Sequence, residues 1–437
     1  MSTALLEADE VTQSTLASIL NAGPLSEDRA SVWSQFMDLP MPVRTDEAWR
    51  FANLKQLDFT PYSVGRPVGE SVREGLLERS SGLETVGGRM VFANDHLLAR
   101  DRVSQALQEN GVIWMPLDQA AAEHPELFGK YFMREEAILG GQKFAALHRA
   151  RVSAGTFLYV PRGVEIALPI EAFHWLHGAG SSCFPHTLIV AEEMSKVTMV
   201  DYFQSANPDT AGFACGVNDL WVGAGAKITY VCAQNWNRKT LAFQMNSTVV
   251  SRDGSGLALN LNLGGSYARS ESVSRLRGSG GRSDMLAVGV AEGTQEYDHR
   301  TFQIHEVPNT SSDLLYKNSL DDQARTIFAG LIRVDPGAHR TDAYQKVRNL
   351  LLSDDAEANS APGLEIEADD VRCTHGATSG QIEEEELFYL LSRGISRKAA
   401  QKLIVFGFLN EVLERLPDPA LQAKLRELLR AKFAPGA

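Results

Sequence analysis

Short β-rich runs recur at nearly constant spacing through the middle of this chain, and they limit its fold more than any other feature. The first four runs begin about 30 residues apart, and each alternates large apolar residues with small or polar ones, as a strand with one buried face does. This spacing predicts a parallel β-helix, in which each coil buries its inner face on its neighbours. The runs are KVTMV from Lys196, KITYV from Lys227, LALNL from Leu257, MLAVGV from Met285 and IFAGLIRV from Ile327.

Two features weaken the pattern. The interval from Met285 to Ile327 is longer than the others. A β-propeller also repeats groups of strands, although the Trp-Asp dipeptide typical of many propellers is absent here. A β-helix fits the runs better, so we expect a mainly β protein with helices on both sides of the repeats.

The flanking segments divide the chain into three expected regions. Before the repeats, SEDRASVWSQFMDLP begins like a capping box at Ser26, and RTDEAWRFANLKQL predicts a helix capped by Thr45 or Asp46. GRMVFAN and GVIWMPL then read as strands, and DQAAAEHPELFGKYF as helical. We therefore predict a helical to mixed region over residues 1–143, a parallel β-helix core over 144–380 and a helical domain over 381–437.

The C-terminal region carries clear helix boundaries. Ser379 is a candidate cap for IEEEELFYLLSR, whose glutamates suit the positive end of a helix dipole, and Gly394 is placed to end that helix. Ser396 is a candidate cap for RKAAQKLIVFGFLNEVLERL. The LIVFGFL stretch is apolar nearly all round, so its own domain or a partner must cover it.

Composition narrows the class of protein. The 437 residues are 44% apolar and 22% charged, which is ordinary globular usage, and the net charge of −13 argues against nucleic acid or an anionic membrane as partner. The N-terminal residues lack a basic stretch followed by an apolar run, and no stretch is long and apolar enough to span a membrane. The four cysteines form no Cys-x-x-Cys pair. We expect a protein of a reducing cytoplasm.

Cys373 and His375, in LEIEADDVRCTH, are the best soft-metal ligands of the chain. If this stretch is one strand, both side chains lie on one face near the end of a sheet. A thiolate and an imidazole suit iron or zinc, but they make half a site, and the rest must come from elsewhere in the chain or from another subunit. The alternative is a packed cysteine beside a hydrogen-bonded histidine. A Cys–His nucleophile is disfavoured because four glutamates follow.

Other candidates for chemistry are weaker. Lone histidines are usually core or turn residues, and this applies to His174, His177, His186, His299 and His305. GAGAK at Gly223 lacks the Gly-Lys-Ser/Thr ending of a phosphate loop, so the chain should not bind ATP itself. A β-helix enzyme that modifies sugars or transfers acyl groups remains an alternative of another class. It would require convergent carboxylates or true hexapeptide repeats, and neither is visible.

Several long motifs resemble the SufB/SufD family of iron–sulfur cluster assembly scaffolds. They are RTDEAWRFANL, DHRTF with NTSSDLLYKNSL, IFAGLIRV, RTDAYQKVRNLLLSDDAEANSAPGLEI and LEIEADDVRCTHGATSGQIEEEELFYLLSRGI. The resemblance implies a right-handed parallel β-helix between helical N- and C-terminal domains. It also implies a non-catalytic scaffold subunit, in which the residues matching Cys373 and His375 help to build a transient iron–sulfur cluster, with no cofactor stably bound.

The resemblance further implies two partners. One is SufB, paired through the β-helices at the interface where the cluster forms. The other is the SufC ATPase, bound by C-terminal helices through the apolar residues Leu387, Phe388, Leu403, Ile404, Phe406, Phe408 and Leu409. Without SufB, a homodimer is an open possibility.

Within the family, the motifs favour the SufD branch. SufB-like chains carry a cysteine in the coil matching Val347 to Asn349 and a glutamate after the histidine, whereas this chain reads KVRNLLLS and has Gly376. A SufB-type main scaffold is the near alternative. His339 and Arg340 replace an expected Gln-Lys, which leaves the role of that turn open.

Overall fold

The computed structural model describes residues 26–433. Residues 1–25, which open the predicted N-terminal region, and residues 434–437 lie outside the described part. The strands are β1 Ser63–Val64, β2 Gly88–Ala93, β3 His96–Arg100, β4 Ile113–Pro116, β5 Thr156–Val160, β6 Ile170–Leu176, β7 Ser181–Cys183, β8 His186–Ala191, β9 Lys196–Ser205, β10 Gly212–Val222, β11 Lys227–Asn235, β12 Thr240–Val250, β13 Ser255–Asn262, β14 Tyr267–Leu276, β15 Arg282–Ala291, β16 Glu296–His305, β17 Ser311–Leu320, β18 Arg325–Val334, β19 Asp342–Leu351, β20 Glu357–Ile366 and β21 Arg372–Gln381.

Helices flank these strands on both sides in sequence. The α-helices are α1 Ser26–Asp38, α2 Glu70–Arg79, α3 Gln105–Glu109, α4 Leu117–Glu123, α5 Pro125–Tyr131, α6 Gln142–Arg151, α7 Glu384–Leu391, α8 Arg397–Leu413 and α9 Pro419–Lys432. Between residues 26 and 433, no helix is long and apolar enough to cross a membrane.

The strands form two long parallel sheets that face each other as a β-solenoid. Sheet A runs in the order β20-β18-β16-β14-β12-β10-β8-β5-β4, and sheet B in the order β21-β19-β17-β15-β13-β11-β9-β6-β2-β3. Each coil contributes one strand to each sheet, so successive strands of one sheet are about 30 residues apart. The predicted mainly β fold with a central parallel β-helix is confirmed. The parallel coils end at Gln381, and β2 adds part of the predicted first region to sheet B.

The irregular interval in the sequence has a simple cause. The first four runs belong to β9, β11, β13 and β15 of sheet B, whereas IFAGLIRV is β18 of sheet A. The true fifth member of the sheet B series is β17, which begins at Ser311 and restores the spacing. Its sequence, SSDLLYKNSL, is too polar to stand out as an apolar run.

One corner of each coil is closed by a residue in the left-handed region. Asn309, Arg340 and Asp370 occupy it in the last coils with φ of 59°, 58° and 54°. The Arg340 amide donates to the Asp370 carbonyl of the next coil at 2.7 Å. Non-glycine residues rarely take this conformation except in tight turns, where Asn and Asp are enriched. The corners therefore fix the register of the stacked coils.

The solenoid interior is apolar at its first coils and increasingly polar along its centre. Asn218 donates to Asn246 at 2.8 Å, and Asn246 donates to Ser272 at 3.1 Å, so amide side chains stack in the coil direction. Buried amides of this kind are stable only when bonded to one another. The interior thus selects one register and tolerates no slip of a coil.

The N-terminal motif RTDEAWRFANLKQL is not the α-helix that its sequence predicted. It forms two short 3-10 helices, Glu47–Trp49 and Leu54–Gln56. Arg269 donates to the Ala48 carbonyl at 2.9 Å, and Arg300 donates to the Arg50 carbonyl at 2.8 Å. These guanidinium bonds occupy carbonyls that an α-helix would need, so docking on sheet A overrides the helical tendency.

The C-terminal domain packs on the outer face of sheet B. Val405 and Leu409 of α8 share one apolar core with Leu286 and Leu315 of sheet B. The predicted end at Gly394 is confirmed by its φ of 82°.

The two predicted serine caps of this domain have opposite outcomes. The Ser396 cap is confirmed, because its hydroxyl accepts from the Ala399 amide at 3.4 Å. The predicted Ser379 cap is wrong. Ser379 belongs to β21 and accepts a hydrogen bond from Asn349 at 3.2 Å, and α7 begins only at Glu384.

Candidate metal-ligand site

Cys373 and His375 lie on β21, the last strand of sheet B. The expectation that LEIEADDVRCTH forms one strand is wrong, because β20 ends at Ile366 and a corner at Asp370 leads into β21. The shared face of the pair is nevertheless present. Cys373 is in register with Ala343, and His375 with Gln345. Ala343 and Gln345 are both buried, so the two ligands continue an inward-facing lane to the open end of the solenoid.

The surroundings of Cys373 favour the protonated thiol. It is half-buried and packs against the apolar cluster that contains Ala343. Burial raises the pKa of the Cys373 thiol, the Asp342 carboxylate adds to this, and a backbone hydrogen bond from Ala343 opposes it. A raised pKa disfavours the thiolate that a nucleophile needs. A metal ion, however, displaces the proton of a coordinating thiol, so the environment is compatible with a ligand.

Two ligands do not complete a site. His375 is exposed, which leaves its ring available to another molecule. Among residues 26–433, no group of three or more His, Cys, Asp or Glu side chains is placed to hold a metal ion. Structural and catalytic sites of zinc or iron use at least three protein ligands as a rule. Cys373 and His375 alone can therefore supply at most half of a metal site.

The corner before β21 is supported by the pair whose role the sequence left open. His339 Nδ1 lies 2.8 Å from the Asp369 carbonyl oxygen, so it donates a hydrogen bond there. Arg340 Nε lies 3.7 Å from Asp370 Oδ2. Together with the amide bond from Arg340 to Asp370, these contacts hold the turn that leads into Cys373. The departure from the expected Gln-Lys thus affects a coil corner and leaves the lane of side chains unchanged.

The free edge of β21 is open to strand addition. The Arg372 amide donates to Thr341 at 2.8 Å, so alternate amides of β21, starting with residue 372, face β19. The amides of Cys373, His375 and Ala377 consequently point away from β19, towards the free edge of the sheet. The strand carries no proline or lysine, which commonly protect exposed edges. A strand added here would bond to the backbone of both ligand residues.

The neighbouring edge strand, β20, is protected. The Glu357 amide donates to the carbonyl of Ala324, just before β18, at 3.0 Å, and the Glu367 amide, just after β20, donates to Val334 at 2.9 Å. The odd-numbered amides of β20 therefore point towards β18. Pro362 therefore occupies a position whose amide would point to the free edge. Its ring interrupts that edge and removes no hydrogen bond between β20 and β18. The sequence shows a proline in SAPGLEI and none in RCTHGATSGQ, but only the register of amides shows that Pro362 lies at the free edge.

The other histidines and cysteines are placed as core residues. His186 Nδ1 lies 3.0 Å from His148 Nε2, and His305 bonds to Thr310 at 2.7 Å. The ring of His174 stacks against that of Phe203 at 5.0 Å. His299 is buried, and His177 is half-buried. The remaining cysteines, all buried and free, are Cys183, Cys215 and Cys232.

The seven apolar residues predicted to bind an ATPase do not form one uniform surface. Phe388 is 71% exposed and Leu403 is 55% exposed. Leu387 and Leu409 are buried in the C-terminal domain itself. Ile404, Phe406 and Phe408 are half-buried. Tyr389, which the sequence did not single out, adds a second exposed aromatic ring beside Phe388.

Fold and site together define a class: a parallel β-solenoid with a Cys–His pair on an unpaired edge strand. Comparison with known families agrees. The family described as SUF system FeS cluster assembly, SufBD core domain matches residues 174–408, and the SufBD protein N-terminal region matches residues 9–172. The chain belongs to the SufBD family of iron–sulfur cluster assembly proteins.

Individual relatives support the same assignment. The iron-sulfur cluster assembly protein SufD of Bacillus subtilis is 32% identical over 419 residues, which cover 92% of this chain and 93% of that protein. SufBD family proteins of Staphylococcus epidermidis and Staphylococcus haemolyticus are each 29% identical over 315 residues, covering 72% of this chain and 68% of theirs. The resemblance expected from the motifs is confirmed.

Proposed function

We propose that this chain is a non-catalytic, SufD-type scaffold subunit that builds a transient iron–sulfur cluster together with a SufB-type partner. The observation that carries the proposal is the half site. Cys373 and His375 share one inward-facing lane at an open solenoid end, and no third ligand accompanies them among the described residues. A partner that completes the site explains why only two ligands are supplied. The iron–sulfur unit is then cargo, held between two chains.

Pairing through β21 supports this role. A partner strand added at the free edge would bond to the edge-facing amides of Cys373 and His375. It would also bring the metal ligands of the partner close to the Cys373 and His375 side chains. Pro362 disfavours the same addition on β20. Without the partner, the open β21 edge would pair with a second copy of this chain.

The SufC-type ATPase would bind the C-terminal helices. Phe388, Tyr389 and Leu403 are large apolar side chains left exposed at 71%, 55% and 55%, which is the pattern of an interface rather than a core. The chain has no phosphate loop of its own. A separate ATPase subunit would supply the energy, and this chain would transmit it without catalysing a reaction.

Proline substitutions on the edge strands test the pairing. Ala377→Pro removes an outward amide of β21 and leaves the ladder to β19 intact, so the fold should persist while the partner is lost. Ser360→Pro is the matched change on β20 and should leave pairing unaltered. The measurement is native mass spectrometry after anaerobic co-expression with SufB-type and SufC-type proteins, where one copy of each scaffold with two ATPase subunits is expected. Retention of the SufB-type partner by folded Ala377→Pro protein would contradict strand addition at β21.

A further inference from the structure

A groove of about 300 Å³ lies between α8 and the outer face of the last three strands of sheet B. Thr374 and Gly376 of β21 form part of its floor, and Glu411 and Arg415 of α8 form one wall. A Cβ placed on Gly376 would meet no atom within 4 Å, so the floor is open at that point. His375 and Gln345 also line the groove, so it adjoins the lane of the candidate metal-ligand pair.

The groove is lined by two cations, Lys346 and Arg415, and two carboxylates, Asp313 and Glu411, and further cations lie beside it. Tyr344, Lys346 and Arg348 alternate along β19 and share its outward face. Among the described residues, no carboxylate lies within ion-pair distance of Lys346 or Arg348. Both cations nevertheless act on Glu411, which is bound by Lys317.

The remaining charges around the groove are paired. Arg415 and Asp313 lie 3.0 Å apart, and the Lys317–Glu411 pair is neutral overall. Lys346 lines the groove and Arg348 lies beside it on the same outward face of β19, so together they leave an excess of two positive charges in and next to the groove, in a protein of net charge −13. Unpaired cations gathered at a concave surface attract anions, and they repel each other when the surface is empty.

We propose that this groove binds a small anion with two or more negative charges, of the polycarboxylate or phosphate class. Its volume suits a small molecule and is too small for a helix of a partner protein. The anion would bond to Lys346 and rest above Gly376, and the charge of the neighbouring Arg348 would attract it. It would also bridge α8 to β21, the strand of the metal ligands, so that ligand binding would stiffen the junction of the two domains.

Calorimetric titration of the full-length protein at low ionic strength tests the proposal, with citrate and inorganic phosphate as probes. We expect saturable one-to-one binding of at least one probe. The double variant Lys346→Gln/Arg348→Gln should weaken it by about tenfold or more. The matched control, Lys227→Gln/Lys239→Gln, changes two exposed lysines of other coils and should leave the affinity unaltered. Gly376→Val should also weaken binding, because it fills the floor and keeps every charge.

Three outcomes would overturn the proposal. They are a failure of both probes to saturate, an equal loss of affinity in the lysine control, and undiminished binding to Gly376→Val. Tight binding of a glutamate-rich peptide, with no binding of the small anions, would also contradict it and assign the groove to a protein partner. Thermal unfolding of each variant distinguishes a lost site from a lost fold.

Discussion

Lys317 of β17 donates a hydrogen bond of 2.8 Å to the backbone carbonyl of Phe408 on α8, and its ammonium lies 4.4 Å from the centre of the Phe408 ring. The same ammonium is bound by Glu411. Lys317 is 1% exposed, so water is excluded from this contact. It fastens the C-terminal helical domain to the solenoid next to the groove.

Replacing Lys317 by methionine should destabilise this junction. The change keeps the length of the side chain and removes its charge, which leaves the Phe408 carbonyl without its donor. Loss of a buried charged hydrogen bond costs about 1–3 kcal/mol. Urea denaturation followed by tryptophan fluorescence measures the effect, with exposed Lys239→Met as the control. Equal stability of Lys317→Met and wild type would show that the contact does not hold the domains together.

The same pair predicts a dependence on pH. The hydrogen bond from Lys317 lowers the pKa of Glu411 below its usual value. A carboxyl group with a lowered folded pKa contributes stability above its unfolded pKa of about 4.3, and this contribution is lost as the pH falls through the lower folded value. The stability difference between wild type and Lys317→Met should therefore shrink in acid. A difference that stays constant from neutral pH to about pH 3 would contradict the assignment.

Buried histidines should make the whole protein sensitive to acid. Burial lowers the pKa of His299 and of His305 to about 4, and it lowers that of His148 well below its usual value. In the unfolded chain they take up protons near pH 6.5, so between about pH 6.5 and 4 the unfolded state binds more protons and stability falls with pH. Each such histidine contributes a slope of about 1 kcal/mol per pH unit.

His305→Gln tests this titration at one residue. Glutamine can keep a bond to Thr310 but does not titrate. The number of protons taken up on unfolding should therefore be lower by about one than in wild type, and the slope of stability against pH should be correspondingly smaller. The measurement is the free energy of unfolding at several pH values between about 6.5 and 4. His124→Gln, at a half-buried position between α4 and α5, is the control. An unchanged slope in His305→Gln would mean that this ring is already protonated in the folded protein.

Trp49 should be the anchor of the N-terminal motif. Its ring lies 3.7 Å from the Arg269 guanidinium carbon, and Arg269 also pairs with Asp298 at 2.6 Å. Trp49→Ala should cost about 3–5 kcal/mol because it opens a cavity over a buried cation. Phe51→Ala is the matched control, since Phe51 is 44% exposed and should change stability little. Urea midpoints compare the two, and equal losses would contradict the anchoring role.

The repeats made the central fold predictable because each coil obeys the same rule. An inward apolar residue at every second position is visible in KVTMV or KITYV whatever the rest of the chain does. The shared face of Cys373 and His375 was predictable for a related reason, since residues two positions apart have the same parity on any strand. Long-range contacts produced the errors. The N-terminal motif lost its helix to Arg269 and Arg300, residues that lie more than 200 positions away.

The end of the solenoid was the least predictable feature. Whether β21 is an edge depends on the absence of a further coil, and a corner such as Asp369–Asp370 looks like ordinary polar sequence. Ser379 was assigned to a helix cap because its bond to Asn349 is set by coil stacking, which local sequence does not reveal. The contrast between the open β21 and the proline-protected β20 likewise required the register of amides.

Cluster formation on the purified complex tests the central claim most directly. Cys373→Ala and His375→Ala would each be co-expressed anaerobically with SufB-type and SufC-type partners, and iron and sulfide would be quantified per complex together with the visible absorbance. Thr378→Ala, on the opposite face of the same strand, is the control. We predict that both ligand variants assemble with unchanged stoichiometry but lose cluster yield by about tenfold or more. Normal cluster yield in complexes that lack both Cys373 and His375 would contradict the proposed role.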